Sequence, residues 1–390
     1  MNTNLSRGMS RATELTRAGR LDEATALIRS LLQPSSEPGH DSEGSGVIEG
    51  TFTRLGNTAP EAPAATAPRT AATGNRTHRT GLRETIRRIA AGGMPSRGEV
   101  TARPLHLPHG ARFLSLAHHG AGRRDYRLYI PANSTGERGQ PMPLIVMLHG
   151  CTQSPEDFAI GTGMNALAEE YGCLIAWPAQ PQGANAQKCW NWFRPEDQGN
   201  GRGEPALIAG IVADILRDHP ADPERVYVAG LSAGGAAAAI LGAAYPELFA
   251  AVGVHSGLPA GGARDVPSAF AAMRGGSTGK ASAVTVPAIV FHGLADKTVH
   301  PGNGEAVVAQ AMQTRSGLNR VCVSGGSEGG RAYRQTRHED ALGRSITEHW
   351  EIDGAGHAWS GGQPGGSYTD PKGPDASREM LRFFLQHRRA

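Results

Sequence analysis

Continuous apolar runs that alternate with helical stretches constrain the fold of this chain more than any other feature of its sequence. The runs cover residues 144–148, 174–177, 226–229, 251–254 and 288–291. Such runs are typical of strands that a parallel sheet buries on both faces. Apolar residues at helical spacing lie between and after them, in residues 205–217, 236–244, 304–313 and 376–387. The alternation predicts an α/β fold with a mostly parallel sheet and helices on both faces.

Three further segments define the limits of this sheet. Residues 113–116 and 126–130 alternate apolar and polar side chains, which indicates an antiparallel pair of strands at its start. Residues 345–352 predict its last strand. We therefore expect one α/β domain over residues 111–390.

Residues 1–110 have a different composition. Of the 21 aromatic residues in the chain, only Phe52 lies there, so this segment can build little apolar core. Residues 1–33 place apolar residues at helical spacing and predict a short helical hairpin. Residues 34–110, above all 34–81, have the low hydrophobicity of a linker, and we predict that they are mostly disordered.

Charge and hydropathy argue against two classes of partner. The formal net charge of +3 is too small to indicate nucleic acid as the main partner. No stretch approaches the roughly 18 apolar residues that a membrane-spanning helix needs, so we expect no transmembrane segment. The first 30 residues lack the apolar segment of a secretory signal, which favours a cytoplasmic location. The sequence leaves the oligomeric state open.

The pattern Gly-x-Ser-x-Gly occurs three times, in residues 230–234, 275–279 and 325–329. A nucleophilic serine in such a motif needs a strand directly before it and a helix directly after it, joined by a sharp turn of small residues. Only Ser232 follows a buried run and precedes a helical stretch. We therefore predict that Ser232 is a nucleophile, and that Ser277 and Ser327 are ordinary loop residues without a preceding strand.

A serine nucleophile needs a histidine to accept its proton and a carboxylate to orient that histidine. When the nucleophile follows a strand in this way, the acid and then the base come later in the chain. Asp296 lies just after the run at 288–291, and His357 lies just after the strand predicted at 345–352. The order predicts Ser232, Asp296 and His357 as a catalytic triad.

Three other residues compete for these roles. His255 and His292 follow or end buried runs, and we interpret both as hydrogen-bonded histidines at the end of the sheet rather than as the base. Asp353 is only four residues from His357 in the same loop, where a turn-forming role is favoured over that of the acid.

A tetrahedral intermediate needs two backbone N–H donors, one after the nucleophile and one from the loop that follows the third strand. The first is predicted at Ala233. The second is predicted in residues 149–151, at Cys151 or Gly150.

Five separated motifs carry a family resemblance. They are His-Gly-Cys-Thr-Gln at 149–153, Cys-Trp-Asn-Trp-Phe at 189–193, Gly-Leu-Ser-Ala-Gly-Gly at 230–235, His-Ser-Gly-Leu at 255–258, and Gly-His-Ala-Trp-Ser-Gly-Gly at 356–362. Together they resemble the esterases related to polyhydroxybutyrate depolymerase, which include feruloyl and acetylxylan esterases, over roughly residues 110–390.

The resemblance implies an α/β-hydrolase fold for residues 111–390 and a triad at Ser232, Asp296 and His357. It also implies an oxyanion donor at Cys151, and an extracellular location as the alternative to the cytoplasm. The triad chemistry requires no metal or organic cofactor, so none is expected.

Aromatic residues beside these motifs predict a substrate pocket. Trp190, Trp192 and Phe193 lie within four residues of one another, and Trp359 follows His357 closely. We predict that they line an apolar acyl or aryl pocket. The alternative for each tryptophan is that it packs its loop onto the core.

The four cysteines leave the disulfide pairing open. Cys151 and Cys189 fall in two loops that are expected to border the site, so a bridge between them is plausible. Four cysteines allow three full pairings, and the sequence does not choose among them. Cys173 and Cys322 are expected to be buried free thiols.

These features predict a serine carboxylic-ester hydrolase that works through an acyl-enzyme. The expected substrates are short-chain esters, hydroxyalkanoate oligomers or polymers, and aryl or acetyl esters. One alternative is a peptidase or thioesterase of the same fold. Another is a binding protein whose N-terminal extension docks onto a polymer granule or a partner.

Overall fold

The computed structural model describes residues 107–132, 141–275 and 283–389. The helical hairpin predicted for residues 1–33 lies outside this part of the chain. The linker predicted for residues 34–110 lies outside it except for its last four residues.

Ten strands of the described chain form one sheet in the order β1-β2-β4-β3-β5-β6-β7-β10-β9-β8. Their bounds are β1 Arg112–His118, β2 Arg124–Ile130, β3 Met142–Leu148, β4 Leu174–Pro178, β5 Ala221–Leu231, β6 Ala251–His255, β7 Ala288–Gly293, β8 Asn319–Gly326, β9 Ala332–Glu339 and β10 Ser345–Ile352. A separate pair, β11 Trp359–Ser360 and β12 Thr369–Asp370, follows.

The central six strands, from β4 to β10, pair in parallel. The outer pairs, β1 with β2, β2 with β4, β10 with β9 and β9 with β8, are antiparallel. The mostly parallel sheet and its antiparallel start are therefore confirmed. In a parallel sheet all carboxyl ends meet at one edge, so the loops after β3, β5, β7 and β10 lie at the same edge.

Seven α-helices of the described chain accompany the sheet. They are α1 Pro155–Thr162, α2 Met164–Tyr171, α3 Gly203–Asp218, α4 Ala233–Ala244, α5 Val266–Gly275, α6 Gly302–Met312 and α7 Ala376–Phe384. No helix in the described ranges is long and apolar enough to cross a membrane.

The residues of β3 show that the sheet is covered on both faces. Leu144 and Val146 pack into a core that includes residues of α3 and α4. Their neighbours Ile145 and Met147 pack into a second core that includes residues of α1, α2 and α7. Because side chains alternate between the two faces of a strand, a run without polar residues is what burial on both faces requires. The predicted layered α/β fold is confirmed.

The hairpin of β8 and β9 is a feature that the sequence did not predict. Most residues of β8 are exposed, so the strand carries no apolar run that would have revealed it. Two expectations are corrected by it. Cys322, on β8, is an exposed free thiol rather than a buried one, whereas Cys173 is buried and free as expected. Ser327 does follow a strand.

Candidate active site

Ser232 lies between β5 and α4, in a backbone conformation that non-glycine residues seldom adopt. Its φ is 59° and its ψ is −118°. The Ser232 N–H donates to the carbonyl of His255 at 2.9 Å, and the Ser232 carbonyl accepts the N–H of Ala236 at 3.0 Å. A strained serine held between a strand and a helix has the local structure of a nucleophile elbow.

The two glycines of this motif are required by close packing. A Cβ atom on Gly234 would lie 2.0 Å from the carbonyl oxygen of Leu148, at the end of β3. A Cβ atom on Gly230 would lie 2.3 Å from the carbonyl carbon of Gly234. The end of β3 therefore touches the turn that carries Ser232, which leaves no room for a side chain at either position.

The other two Gly-x-Ser-x-Gly matches differ from this arrangement. Ser327 follows β8, which contradicts the expectation of no preceding strand, but a turn and then β9 follow it rather than a helix. Its hydroxyl donates to the carbonyls of Arg331 and Lys372 at 3.1 and 2.5 Å. These bonds give Ser327 a structural role. Ser277 lies outside the described residues.

Asp296 and His357 meet at the edge where the parallel strands end. Asp296 follows β7, and its Oδ2 accepts a hydrogen bond from Nδ1 of His357 at 2.7 Å. Its Oδ1 accepts the N–H groups of Thr298 and Val299 at 2.8 and 2.9 Å. The structure thus brings together two of the three predicted triad residues in the orientation that leaves Nε2 of His357 as a proton acceptor.

The surroundings of Asp296 favour its charged form. Burial acts to raise the pKa of this carboxyl, but the neighbouring His292 and His357 imidazoles and the N–H of Val299 outweigh it and hold the pKa well below its usual range. Asp296 is therefore ionised at neutral pH and can stabilise a protonated His357.

The competing residues have other partners. His255 is fully buried, and its Nε2 accepts the N–H of Ser360 at 2.9 Å. His292 is also buried, and its Nε2 donates to the carbonyl of Val299 at 2.9 Å, 3.6 Å from Oδ2 of Asp296. The side chain of Asp353 makes no bond to His357 among the described contacts. These placements favour structural roles for the two histidines.

The loop after β3 carries Gly150 and Cys151, the two residues predicted as candidates for one oxyanion donor. Leu148 pairs with Gly230, which places this loop beside the elbow. The N–H of Gly150 donates to Oε1 of Gln153 at 2.9 Å, so it is occupied. The N–H of Cys151 has no acceptor among the described residues. The occupied amide favours Cys151 over Gly150 as the donor.

The other predicted oxyanion donor is the amide of Ala233. Ala233 is the first residue of α4, where backbone N–H groups have no acceptor within the helix. Both oxyanion assignments remain predictions.

Gln153 was not singled out from the sequence. Besides Gly150, it bonds to Asp157 Oδ2 through its Nε2 at 2.9 Å. Its position in the His-Gly-Cys-Thr-Gln motif is the sequence feature that could have indicated its role in this loop.

A disulfide joins Cys151 to Cys189. This is the pairing that the sequence suggested but did not select among three possibilities. It ties the loop after β3 to the segment that carries Trp190 and Trp192.

The four aromatic residues predicted to line a substrate pocket differ in their exposure. Trp190 and Trp359 are 0% and 1% exposed. The indole of Trp190 donates to the carbonyl of His149 and that of Trp359 to the hydroxyl of Ser377, each at 3.0 Å. For these two residues the structure favours packing, the alternative given above, over contact with a substrate.

Trp192 and Phe193 pack edge to face, with ring centroids 5.9 Å apart; Trp192 is buried, whereas Phe193 is partly exposed. The cavity beside Trp190 and Trp192 has a volume of about 10 Å³. A single water needs at least that much space, so an acyl group does not fit there. Contact with a substrate remains a prediction for Trp192 and Phe193.

We expect acid to destabilise the fold between about pH 6.5 and pH 4. Burial is the main cause that lowers the pKa of His149 to about 4 and that of His255 to about 3. Unfolded histidines titrate near pH 6.5, so the unfolded chain binds more protons in this interval and the free energy of unfolding falls as the pH falls. Each unit of lowered pKa is equivalent to about 1.4 kcal/mol for each histidine.

Urea unfolding at pH 7, 5.5 and 4 measures this effect. His149→Asn, which keeps a donor for the carbonyl of Gly150 but does not titrate, should flatten the pH dependence. His109→Asn is the control, because His109 is exposed. A free energy of unfolding that stays constant or rises from pH 7 to pH 5.5 contradicts the prediction.

Comparison with known proteins identifies the family. A family model described as "Esterase PHB depolymerase" matches residues 124–340, which include Ser232 and Asp296 but not His357. Poly(3-hydroxyalkanoate) depolymerase C of Paucimonas lemoignei is 33% identical over 244 residues, which are 58% of this chain and 56% of that protein. Poly(3-hydroxybutyrate) depolymerase of Ralstonia pickettii is 30% identical over 267 residues, 61% of this chain and 52% of that protein. The chain thus spans about half the length of these relatives.

A solved structure supports the fold. The acetyl xylan esterase from Aspergillus awamori superposes with a TM-score of 0.55 at 20% sequence identity, over 70% of this chain and 99% of that one. The sheet order, the covered faces and this similarity together show the α/β-hydrolase fold. Because the family model matches more than half of the chain, this protein belongs to the PHB depolymerase family of esterases.

Proposed function

We propose that this protein hydrolyses carboxylic esters through an acyl-enzyme formed on Ser232. The observation that carries the proposal is the bond between Asp296 and His357 at the sheet edge where the strained Ser232 lies. Membership of an esterase family supports the same reaction.

In the proposed mechanism the hydroxyl oxygen of Ser232 attacks the ester carbonyl carbon. Nε2 of His357 accepts the hydroxyl proton, because Asp296 holds the other ring nitrogen in its protonated form. The ionised Asp296 then stabilises the imidazolium. The N–H groups of Cys151 and Ala233 bind the oxyanion of the tetrahedral intermediate.

Collapse of this intermediate breaks the bond to the alcohol, which leaves with the proton carried by His357. Water then attacks the acyl group on Ser232 with His357 as general base, and the acid is released. The serine regains its proton, so the cycle needs no redox partner.

The names of the relatives guide the proposed substrate class. Two relatives are named for polyhydroxyalkanoate depolymerisation, and others for acetylxylan and feruloyl ester hydrolysis. We propose oxygen esters of short hydroxy acids or of acetyl and aryl acids, with Phe193 and Trp192 at the rim of the site.

A substrate panel tests this proposal. It contains p-nitrophenyl butyrate, hydroxybutyrate oligomers and polymer, acetylated and feruloylated sugars, a thioester and a peptide anilide. We expect turnover of at least one oxygen ester with the anilide unreacted. Preferential cleavage of the thioester or the anilide would favour the thioesterase or peptidase alternative. No turnover of any substrate by folded protein would favour the binding-protein alternative.

The disulfide bears on the proposed location. Disulfides persist in oxidising compartments and are rare in the cytoplasm. The Cys151–Cys189 bridge therefore supports the extracellular alternative over the cytoplasmic one. Fractionation of the native cells tests this, and recovery of the protein in the cytosol with both cysteines reduced would contradict it.

A further inference from the structure

A buried carboxylate lies at the centre of a polar cluster next to the loop that carries Cys151. Glu204, the second residue of α3, is 8% exposed. Its Oε2 accepts the backbone N–H of Asn191 at 2.7 Å. Its Oε1 accepts the side-chain amide of Asn191 at 2.9 Å and also that of Gln180. Three donors from two residues of the connection between β4 and α3 therefore converge on one carboxylate.

Gln180 links this carboxylate to both sides of the candidate oxyanion site. Its side-chain amide also donates to the carbonyl of Cys189 at 2.9 Å. Its backbone N–H donates to Nε2 of His149 at 3.1 Å. The residue thus contacts the segment around Cys189 and the loop after β3 at the same time.

The loop after β3 is attached to this segment by three further links. Cys151 is joined to Cys189 by the disulfide. The N–H of Thr152 donates to the carbonyl of Gln187 at 2.7 Å. The third link is the bond from the Trp190 indole to the carbonyl of His149, described above. The position of the Cys151 amide therefore depends on where residues 187–191 lie.

The cluster satisfies the buried carboxylate. Nη2 of Arg124, itself 4% exposed, lies 3.9 Å from Oε1 of Glu204. The N–H of Glu204 donates to Oδ1 of Asp197 at 2.7 Å, which fixes the backbone at the start of α3. Burial raises the pKa of Glu204, while the bonds from Asn191 and Gln180 and the charge of Arg124 act against this rise. A buried charge with several partners is costly to disturb on one side only.

We propose that Glu204 is a positioning residue for the oxyanion hole: it fixes residues 187–191 and, through them, the Cys151 N–H that receives the oxyanion. This inference rests on the proposed ester hydrolysis. Its physical reason is that an oxyanion donor must lie about 2.7–3.1 Å from the developing charge, so a small displacement weakens a bond that forms fully only in the transition state.

Glu204→Gln tests the proposal with little change of shape. In the wild-type protein three donors share the two oxygens of the Glu204 carboxylate. A glutamine offers only one acceptor oxygen, so residues 187–191 lose part of their attachment. We expect kcat for a reactive ester to fall about tenfold to a hundredfold, with KM changed less than about twofold, because removing an oxyanion donor altogether costs about a hundredfold to a thousandfold.

Glu169→Gln is the matched control. Glu169 accepts the hydroxyl of Tyr129 at 2.5 Å and the N–H of Ala132 at 3.0 Å. These contacts lie at the other end of β2 from Arg124, at the opposite edge of the sheet. The control variant loses a carboxylate acceptor in the same way. It is expected to keep the wild-type kcat and KM per folded molecule, with the folded fraction measured by circular dichroism.

A pair of substrates separates positioning from general structural damage. The sulfur of a thionoester accepts hydrogen bonds poorly, so its hydrolysis gains little from the oxyanion hole. The loss of kcat in Glu204→Gln should therefore be several-fold smaller for the thionoester than for the matching ester. Equal losses for both substrates, or kinetics like those of Glu169→Gln, would overturn the proposal.

Gln180→Met is the second variant if Glu204→Gln does not fold. It removes the bonds that the Gln180 side chain donates to Cys189 and Glu204 and the one it accepts from Arg124, and should give the same selective loss, to a smaller degree. An unselective loss would overturn the proposal. Absence of ester turnover by the wild-type protein would instead contradict the proposed function itself, so the two failures are distinct.

Discussion

Ser232→Ala should lower kcat for ester hydrolysis by about a million-fold, the size of loss seen when a triad serine is removed. The hydroxyl that forms the acyl-enzyme is then absent, and only the background rate from binding and the oxyanion donors remains. The substitution removes one oxygen from a turn held by backbone bonds to His255 and Ala236, so the fold should be kept. Steady-state kinetics with a chromogenic ester and circular dichroism measure both results.

Ser327→Ala is the matched control, since Ser327 occupies the same sequence pattern. Loss of its hydroxyl donor to the carbonyls of Arg331 and Lys372 should cost about 1 kcal/mol of stability and leave kcat unchanged. Full activity of Ser232→Ala, or loss of activity in folded Ser327→Ala, would exclude the assignment of the nucleophile.

Asp296→Asn should lower kcat by about ten-thousand-fold near neutral pH. In the wild-type protein, Oδ2 of Asp296 accepts a hydrogen bond from the protonated Nδ1 of His357. The N–H groups of Thr298 and Val299 donate to Oδ1. In the variant these two donors should hold the asparagine oxygen at the Oδ1 position, so its NH₂ group faces Nδ1 of His357. His357 then takes the tautomer protonated at Nε2, which cannot accept the proton of Ser232. The measurement is kcat between pH 6 and pH 9.

Asp353→Asn serves as the control for this prediction. Asp353 is the rival acid by sequence, yet its side chain is exposed, and it should tolerate the change with full activity. Loss of activity in Asp353→Asn together with retained activity in Asp296→Asn would reverse the assignment of the acid.

The layered part of the fold was predictable because burial leaves a direct mark on the sequence. Every residue of β3, β4, β6 and β7 is buried, and each of these strands contains one of the predicted apolar runs. The exposed strand β8 contains no apolar run, so the sequence did not predict it. A strand whose side chains face water on both sides is held by its neighbour's backbone, and backbone bonding has no side-chain signature.

The candidate site divides in the same way. The order of Ser232, Asp296 and His357 and their places after strands follow from local motifs, which the sequence contains in full. The buried cluster around Glu204 does not follow from a local motif. A glutamate at the start of a helix is ordinarily solvated, where its charge interacts favourably with the helix dipole. Its partners Gln180 and Asn191 both lie in the long connection between β4 and α3 and meet only because of the way that connection folds.

The sequence by itself predicted the layered α/β fold, the candidate triad and the turn of small residues around Ser232, because periodicity and small-residue spacing are local properties. Only the tertiary structure decided which cysteines pair, which tryptophans are buried and which amide after β3 has an acceptor among the described residues. These outcomes depend on segments far apart in the chain, whose meeting is fixed by the packing of the whole sheet and its helices.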